Sequence, residues 1–145
     1  MRAGDTIAIG LGRASRASWI CLAVHAARRR DTLRPLATTV GVALAAELAS
    51  SSLRSAFGRP RPCRTRPALI RCPGSPSFPS NHSAIAAASA VTLARFEPAW
   101  RWPMLTLATL VGGSRVRVGV HHRTDVAAGL ALGVGVGLLA ERLDL

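Results

Sequence analysis

Two residues near the end of the chain, His121 and Asp125, have the types and spacing of a nucleophile and the carboxylate that orients it. A separation of four residues places both on one face of a helical turn. The carboxylate can then hold one imidazole nitrogen and leave the other free to attack phosphorus. His122 lies three residues from Asp125 on the same face, so spacing alone does not choose between the two histidines.

Further polar residues have the chemistry that phosphoryl transfer requires around such a nucleophile. Charge spreads over the equatorial oxygens and must be met by fixed cations and N–H donors. The candidate cations are Arg54, Arg61 and Arg115. Ser80 and the amides that begin the following helix add donors, at a helix end whose dipole favours an anion. His82 is the candidate general acid for the leaving oxygen.

In chain order these residues form three motifs. They read Arg54, six residues, Arg61-Pro62; then Pro79-Ser80-Asn81-His82; then Ser114-Arg115, five residues, His121, three residues, Asp125. The three motifs resemble the three-part signature of the type 2 phosphatidic acid phosphatases, over roughly residues 33–143. The third part matches completely, and its spacing selects His121 over His122. Arg54 stands where the family usually has Lys, and Asn81 where it usually has Gly.

The resemblance implies an all-α fold, an integral-membrane bundle of about five helices in one domain over residues 1–145. It also implies metal-independent hydrolysis of a lipid phosphate or diphosphate through a phosphohistidine, with no cofactor. The implied catalytic residues are His121, Asp125 and His82. The implied phosphate-binding residues are Arg54, Arg61, Ser80, Asn81, Ser114 and Arg115. Polyprenyl lipids are the favoured substrates, and phosphatidic acid or phosphatidylglycerol phosphate the alternative.

Composition supports a membrane location independently of the motifs. The chain is 49% hydrophobic yet carries nineteen basic residues, all of them arginine, and a formal net charge of +12. These properties are segregated, because apolar stretches alternate with short arginine-rich connectors, as expected where helix ends meet lipid headgroups. Nucleic-acid binding is disfavoured, since aromatic residues are few and no helix has a continuous basic face.

The predicted elements bring the three motifs to one side of a membrane. Residues 33–53 have the length of a span, and three further spans are predicted at 80–96, 102–120 and 124–143. Prolines and arginines between 54 and 79 predict an extramembrane loop. Because the motifs fall at alternating helix ends, we expect them to share one membrane face. Residues 5–27 are the weakest helix candidate and are compatible with a span, a tilt or an interfacial position.

Several side features carry their own expectations. Gly129, Gly133 and Gly137 have the spacing of a close helix contact, either inside the bundle or in a homodimer. We expect Cys21 in the core and treat a Cys63–Cys72 bridge as open. The tryptophans Trp19, Trp100 and Trp102 are expected to be interfacial anchors, and Glu47 is expected to pair with an arginine at its helix end, near Arg54.

Three alternatives remain beside the phosphatase hypothesis. His82, His121, His122 and Asp125 are also of the types that bind zinc, although the nearby arginines would repel a divalent cation. A soluble acid phosphatase or haloperoxidase has similar motifs but lacks bilayer-length apolar helices. A catalytically silent lipid-binding or scaffold protein is the third. Orientation is undecided by arginine counts, and the resemblance favours an active site outside the cytoplasm, in the cell membrane.

Overall fold

The computed structural model describes residues 2–144, and over that range the chain forms five α-helices with two short 3₁₀ turns. Their bounds are α1 Ala3–Arg29, α2 Arg34–Phe57, α3 Asn81–Phe96, α4 Arg101–Arg117 and α5 Arg123–Arg142. The all-α prediction is confirmed, and the predicted spans agree with α2 to α5 to within a few residues. One boundary was wrong, because Arg54 lies in the last turn of α2 and the loop begins only at Gly58.

The bundle is organised around α3. Most of its residues are buried, and all four other helices pack against it. Its alanines and serines are small enough for this, and α5 contributes Gly129, Gly133 and Gly137 on the contacting face. A Cβ at Gly133 would overlap the carbonyl oxygen of Ala84. The glycine spacing therefore serves packing inside this chain, and the homodimer stays a prediction.

The outer surface of the bundle is apolar, as it is in proteins surrounded by lipid. Large hydrophobic side chains such as Leu44, Leu48, Leu110 and Leu139 are exposed on helix faces. Among the described residues, α1, α2 and α5 are long and apolar enough to cross a membrane. The chain is therefore a membrane protein, since exposed faces of this kind are unfavourable in water.

The first helix belongs to the bundle. It packs against α2, α3 and α4, and Trp19 is buried in a core with Leu93 and Val111. The interfacial expectation for Trp19 was therefore wrong, whereas Trp102 is exposed as expected. The core expectation for Cys21 was also wrong, because this cysteine lies on an exposed face of α1.

The connection between α2 and α3, residues 58–80, forms the cap over one end of the bundle. α2 ends at Gly58, which has a left-handed conformation (φ 59°) and donates its N–H to the Arg54 carbonyl. A disulfide joins Cys63 to Cys72, with 5.7 Å between their Cα atoms. The connection packs on the α4–α5 loop, where Gly119 (φ 83°) allows the backbone of Ala68 to approach closely.

Candidate active site

A cavity of about 560 Å³ opens at the capped end of the bundle, where α2 ends, α3 begins and the α4–α5 loop turns. It is lined by Ile9, Gly12, Arg13, Arg16, Glu47, Arg54, Arg61, Ile70, Pro73, Ser75, Asn81, His82, Arg115, Val120 and His121. All three motifs thus contribute to one cavity, as their alternating helix ends predicted. Its volume is typical of small-molecule sites.

His121 lies in the α4–α5 loop with only 4% of its surface exposed. Its Nε2 atom is 3.0 Å from Nη1 of Arg61. Because a guanidinium can only donate, Nε2 must carry the lone pair and Nδ1 the proton. Nδ1 faces Asp125 at 3.6 Å, too far for a hydrogen bond, and has no partner in the described part of the chain. The geometry therefore assigns the lone pair of the neutral imidazole to Nε2.

Asp125, in the first turn of α5, is completely buried and held from two sides. One carboxylate oxygen accepts the backbone N–H of His122 at 2.8 Å. The other oxygen accepts a hydrogen bond from Nη1 of Arg59 at 2.7 Å. Arg59 is one of the residues that sequence reasoning missed, and its position two residues before Arg61 was the signal available. Its role was hidden because the contact joins residues 66 positions apart.

Arg61 is buried and held rigidly by backbone acceptors. Its Nε donates to the Ser75 carbonyl at 2.7 Å, and Nη1 donates to the Val120 carbonyl at 3.0 Å. Burial, with a smaller effect of the Arg54 charge, lowers the pKa of Arg61 to about 10. The side chain therefore remains a cation at neutral pH, fixed in the cavity wall beside His121.

The pKa of His121 is well below its ordinary value. The main cause is burial of the imidazole, followed by the positive charge of Arg61, while the Asp125 carboxylate acts in the opposite direction. His121 is therefore neutral at physiological pH. A neutral imidazole is the form that a nucleophilic histidine needs.

Arg115 reaches the cavity across the face of α1. Its Nη2 donates to the Ala8 carbonyl at 3.1 Å, and its Nε donates to the Ser114 hydroxyl at 3.1 Å. Its guanidinium occupies the space left by Gly12, where a Cβ would overlap it. The first helix, the least certain element in the sequence, is thus part of the site.

The remaining predicted residues occupy two kinds of position. Arg54 lines the cavity, and its Nη2 donates to Ser51 at 2.7 Å. Ser80 and Ser114, which were predicted to bind phosphate, are buried and do not line the cavity. The Ser80 hydroxyl accepts a hydrogen bond from Ser83, and its N–H donates to the Asp125 carbonyl. The Ser114 hydroxyl bonds the Val111 carbonyl. These two serines therefore brace the residues that face the cavity.

Asn81, which stands where the resembled family has Gly, joins α3 to α2. Its Oδ1 accepts a hydrogen bond from the Ser50 hydroxyl at 2.6 Å, and its Nδ2 donates one to the Glu47 carboxylate at 3.2 Å. Glu47 also accepts Nη2 of Arg16 at 2.7 Å. The expected arginine partner of Glu47 thus comes from α1 and not from the end of its own helix, because α1 packs alongside α2 at this level.

The fold and the site together define a helical membrane protein whose cationic cavity lies beside a buried His–Asp pair. The model of the PAP2 superfamily matches residues 34–143. The chain belongs to this superfamily, since the match covers most of its length. The signature resemblance drawn from the three motifs is confirmed.

Individual relatives are similar over shorter stretches. The undecaprenyl-diphosphatase of Sulfolobus acidocaldarius is 42% identical over 69 residues, 47% of this chain and 34% of that protein. The decaprenylphosphoryl-5-phosphoribose phosphatase of Mycobacterium tuberculosis is 36% identical over 73 residues, 50% of this chain and 40% of that protein. A lipid A 1-phosphatase of Rhizobium johnstonii is 41% identical over 63 residues, 43% of this chain and 26% of that protein. These matches span less than half of each relative.

The fold has a solved counterpart. The crystal structure of a transmembrane PAP2 type phosphatidylglycerolphosphate phosphatase from Bacillus subtilis matches with a TM-score of 0.78 and 24% identity. The match covers 99% of this chain and 78% of that one. It therefore includes α1, which lies before the segment that the family model matches.

Within residues 2–144, no group of three or more His, Cys, Asp or Glu side chains is placed to hold a metal ion. His121 faces Asp125 on one side and Arg61 on the other. A divalent cation at this point would be repelled by the buried guanidinium. The residues present fit an anion.

Proposed function

We propose that this protein hydrolyses the phosphate or diphosphate of a membrane lipid, with polyprenyl lipids favoured, through a phosphohistidine on His121. One observation carries the proposal: the lone pair of His121 Nε2 faces the cationic cavity, 3.0 Å from Arg61. Similarity to proteins named as polyprenyl and lipid A phosphatases supports the substrate class.

The reaction has two displacements. His121 Nε2 attacks phosphorus, the P–O bond to the lipid breaks, and the electron pair leaves on the lipid oxygen, which takes a proton from His82. Asp125 stabilises the positive charge that forms on the imidazole. Water then attacks phosphorus, its proton goes to His82, and the P–N bond breaks. The electron pair of that bond returns to Nε2 of His121, and inorganic phosphate leaves. Arg61 and Arg115 meet the charge on the equatorial oxygens in both steps.

An apolar groove beside the cavity supports a lipid substrate. A groove of about 190 Å³ runs between α1 and α2 and shares Arg16 and Glu47 with the cavity. Its remaining lining is mainly apolar, and it follows α2 from Glu47 back to Thr39. Eight residues of helix correspond to about 12 Å. Ile20 and Leu44 at its mouth are exposed, so a lipid can enter sideways from the bilayer.

The proposed location is the cell membrane with the cavity outside the cytoplasm. The Cys63–Cys72 disulfide lies in the connection that caps the cavity. Disulfides form and persist in extracytoplasmic compartments and are rare in the cytosol. Labelling of Ser75 and Pro98, each replaced by cysteine, from the two sides of intact vesicles tests this. Reaction of the Ser75 position from the cytoplasmic side contradicts it.

Phosphate release from a panel of phosphorylated lipids, by protein purified in detergent, tests the function. We expect release that persists in EDTA and is inhibited by vanadate, which resembles phosphate. A radioactive lipid phosphate should leave an acid-labile, alkali-stable label on His121. Loss of activity on chelation, with recovery on adding zinc, would replace the phosphohistidine by the metal-site alternative. Lipid binding without any release would favour the silent scaffold.

A further inference from the structure

The α1 helix brings two arginines into the cavity that none of the three motifs contains. Arg13 and Arg16 line it together with Arg115 and His121. Arg13 is exposed, and no hydrogen bond or ion pair of its side chain is found within residues 2–144. Arg16 is bound to Glu47 and keeps 58% of its side chain exposed. Both therefore have donors available for a ligand.

The charge of the cavity exceeds what one phosphate requires. Five guanidinium groups and one carboxylate line it, so these six groups by themselves give four net positive charges. A phosphomonoester carries about two negative charges at most. Arg54, Arg61 and Arg115, which belong to the motifs, already match one phosphate. Arg13 and Arg16 are therefore available to bind a second anionic group.

Their position gives the order of groups along a ligand. Arg16 lines both the cavity and the apolar groove, whereas His121 lines the cavity alone. From the nucleophile outward, the order is reacting phosphate, α1 arginines and lipid chain. A lipid diphosphate has the same order, because its second phosphate lies between the terminal phosphate and the chain.

We propose that Arg13 and Arg16 bind the chain-proximal phosphate of a lipid diphosphate and make the site selective for diphosphates over monophosphates. This inference rests on the proposed function. The terminal phosphorus is transferred to His121 Nε2, and the bond from that phosphorus to the bridging oxygen breaks. The electron pair leaves on the lipid monophosphate, which takes a proton from His82. Arg13 and Arg16 meet the charge of this leaving group.

Glu47 explains how Arg16 is kept ready for this role. The carboxylate holds one side of the guanidinium at 2.7 Å and is itself held by Asn81. A planar guanidinium has five donors, so one bond to Glu47 leaves others for phosphate. Arg13 lies one helical step from Gly12, the point at which Arg115 crosses α1. Two arginines on α1 thus flank the path out of the reaction site.

A matched pair of substrates tests the proposal: farnesyl diphosphate and farnesyl phosphate, which share one chain. For Arg13→Ala and Arg16→Ala we expect KM for the diphosphate to rise about 10-fold, the effect of one lost charged hydrogen bond. The monophosphate should change less than about 2-fold, because its contacts lie on the motif residues. Arg66→Ala is the control, since it removes an exposed arginine of the capping loop outside the cavity.

A binding measurement keeps the result independent of turnover. Calorimetry should show that inorganic pyrophosphate binds the wild type more tightly than inorganic phosphate does. In Arg13→Ala this pyrophosphate margin, the difference between the two affinities, should disappear. Equal losses for both farnesyl substrates, or an unchanged pyrophosphate margin in Arg13→Ala, would overturn the proposal. Absence of phosphate release from both substrates by the wild type would instead reject the proposed function, and the pyrophosphate margin would still decide the subsite.

Discussion

The cavity has two walls that differ in burial and in how tightly their charges are held. The motif wall, formed by Arg61, Arg115 and His121, has residues no more than 5% exposed. The α1 wall, formed by Arg13 and Arg16, carries exposed arginines. On the motif wall, carbonyl oxygens fix the guanidinium groups, whereas on the α1 wall one carboxylate holds only Arg16.

This difference separates reaction from recognition. A rigid, buried cation stabilises a transition state because it needs no reorganisation during the reaction. An exposed arginine with free donors adapts to ligands of different shape and contributes to binding. We therefore expect changes on the motif wall to lower kcat and changes on the α1 wall to alter KM and substrate choice. The predictions below test this division, from the largest effect to the smallest.

The largest effect is expected at the nucleophile. His121→Ala removes the atom that would form the proposed phosphohistidine, so turnover should fall by more than about 10⁴-fold, beyond the 10²–10⁴ typical of a general acid. His122→Ala is the matched control, because His122 does not line the cavity and its backbone N–H makes the hydrogen bond to the Asp125 carboxylate. It should retain activity to within about 10-fold. If the label from a radioactive lipid phosphate were trapped on His121→Ala but not on His122→Ala, the nucleophile would be His122.

Substitution of two glycines of α1 tests whether this helix positions the Arg115 guanidinium on the motif wall. A methyl group at Gly12 would overlap the Arg115 guanidinium, whereas nothing lies within 4 Å of the corresponding position at Gly10. Gly12→Ala should therefore lower kcat by about 10²-fold, comparable to losing one transition-state donor. Gly10→Ala should leave kcat unchanged. Both substitutions favour the helix by up to about 1 kcal/mol, so unfolding temperatures should not fall.

An equal kcat for the two glycine variants would separate α1 from the reaction and confine it to binding. A fall in the unfolding temperature of Gly12→Ala alone would attribute its effect to packing. Together, kcat and the unfolding temperature therefore decide whether α1 affects the reaction through its contact with Arg115.

A smaller effect on rate, with a pH signature, is expected at Arg59. Replacing it by Ala removes one of the two groups that hold the buried Asp125 carboxylate, and with it a positive charge. The carboxylate then acts more strongly on His121, which raises the pKa of the imidazole. The acidic limb of kcat/KM should then move to higher pH, since more of the nucleophile is protonated. The other groups facing His121, namely Arg61, His82 and the Ser77 backbone, are unchanged.

Arg59→Lys is the matched control, because it restores the positive charge without the planar donor pair. It should return the acidic limb towards that of the wild type. At pH 8, where the imidazole is neutral in all three proteins, the loss in kcat should be about 10-fold or less. An unshifted acidic limb in Arg59→Ala would show that Arg59 only stabilises the loop.

The smallest effect on turnover is expected from Asn81→Gly, which introduces the residue usual in the family. It removes hydrogen bonds to Ser50 and Glu47 and should lower the free energy of unfolding by about 1–3 kcal/mol. Activity should stay within about 3-fold, because the amide nitrogens of α3 remain in place. Thermal unfolding and phosphate release measure the two effects separately. A loss of activity far beyond 3-fold would give Asn81 a direct role in the reaction.

Much of the fold followed from local pattern. Apolar stretches of span length separated by arginine and proline predict helices because backbone groups in lipid must bond internally. The motif spacing selected His121 over His122, and the alternating helix ends predicted one shared cavity. The glycine run of α5 indicated a close helix contact, which α3 provides through Ala84 and its neighbours.

Contacts between distant segments were decided only by tertiary structure. Arg59 binds Asp125 across 66 residues, and Arg16 binds Glu47 across 31. Neither pairing has a periodic signal, because side chains of separate helices meet according to how the helices pack. The burial of Trp19 and the exposure of Cys21 have the same origin, since one apolar helix contains both inward and lipid-facing positions.

By itself, the sequence determined which residues have phosphoryl-transfer chemistry and which side of the bundle holds them, because both depend on residue type and on spacing along the chain. Tertiary structure alone decided which nitrogen of His121 carries the lone pair and which cations accompany it. The guanidinium of Arg61 assigns the lone pair to Nε2, and α1 adds two arginines to the cavity. These properties depend on three-dimensional contact, where hydrogen-bond direction and distance determine protonation and charge.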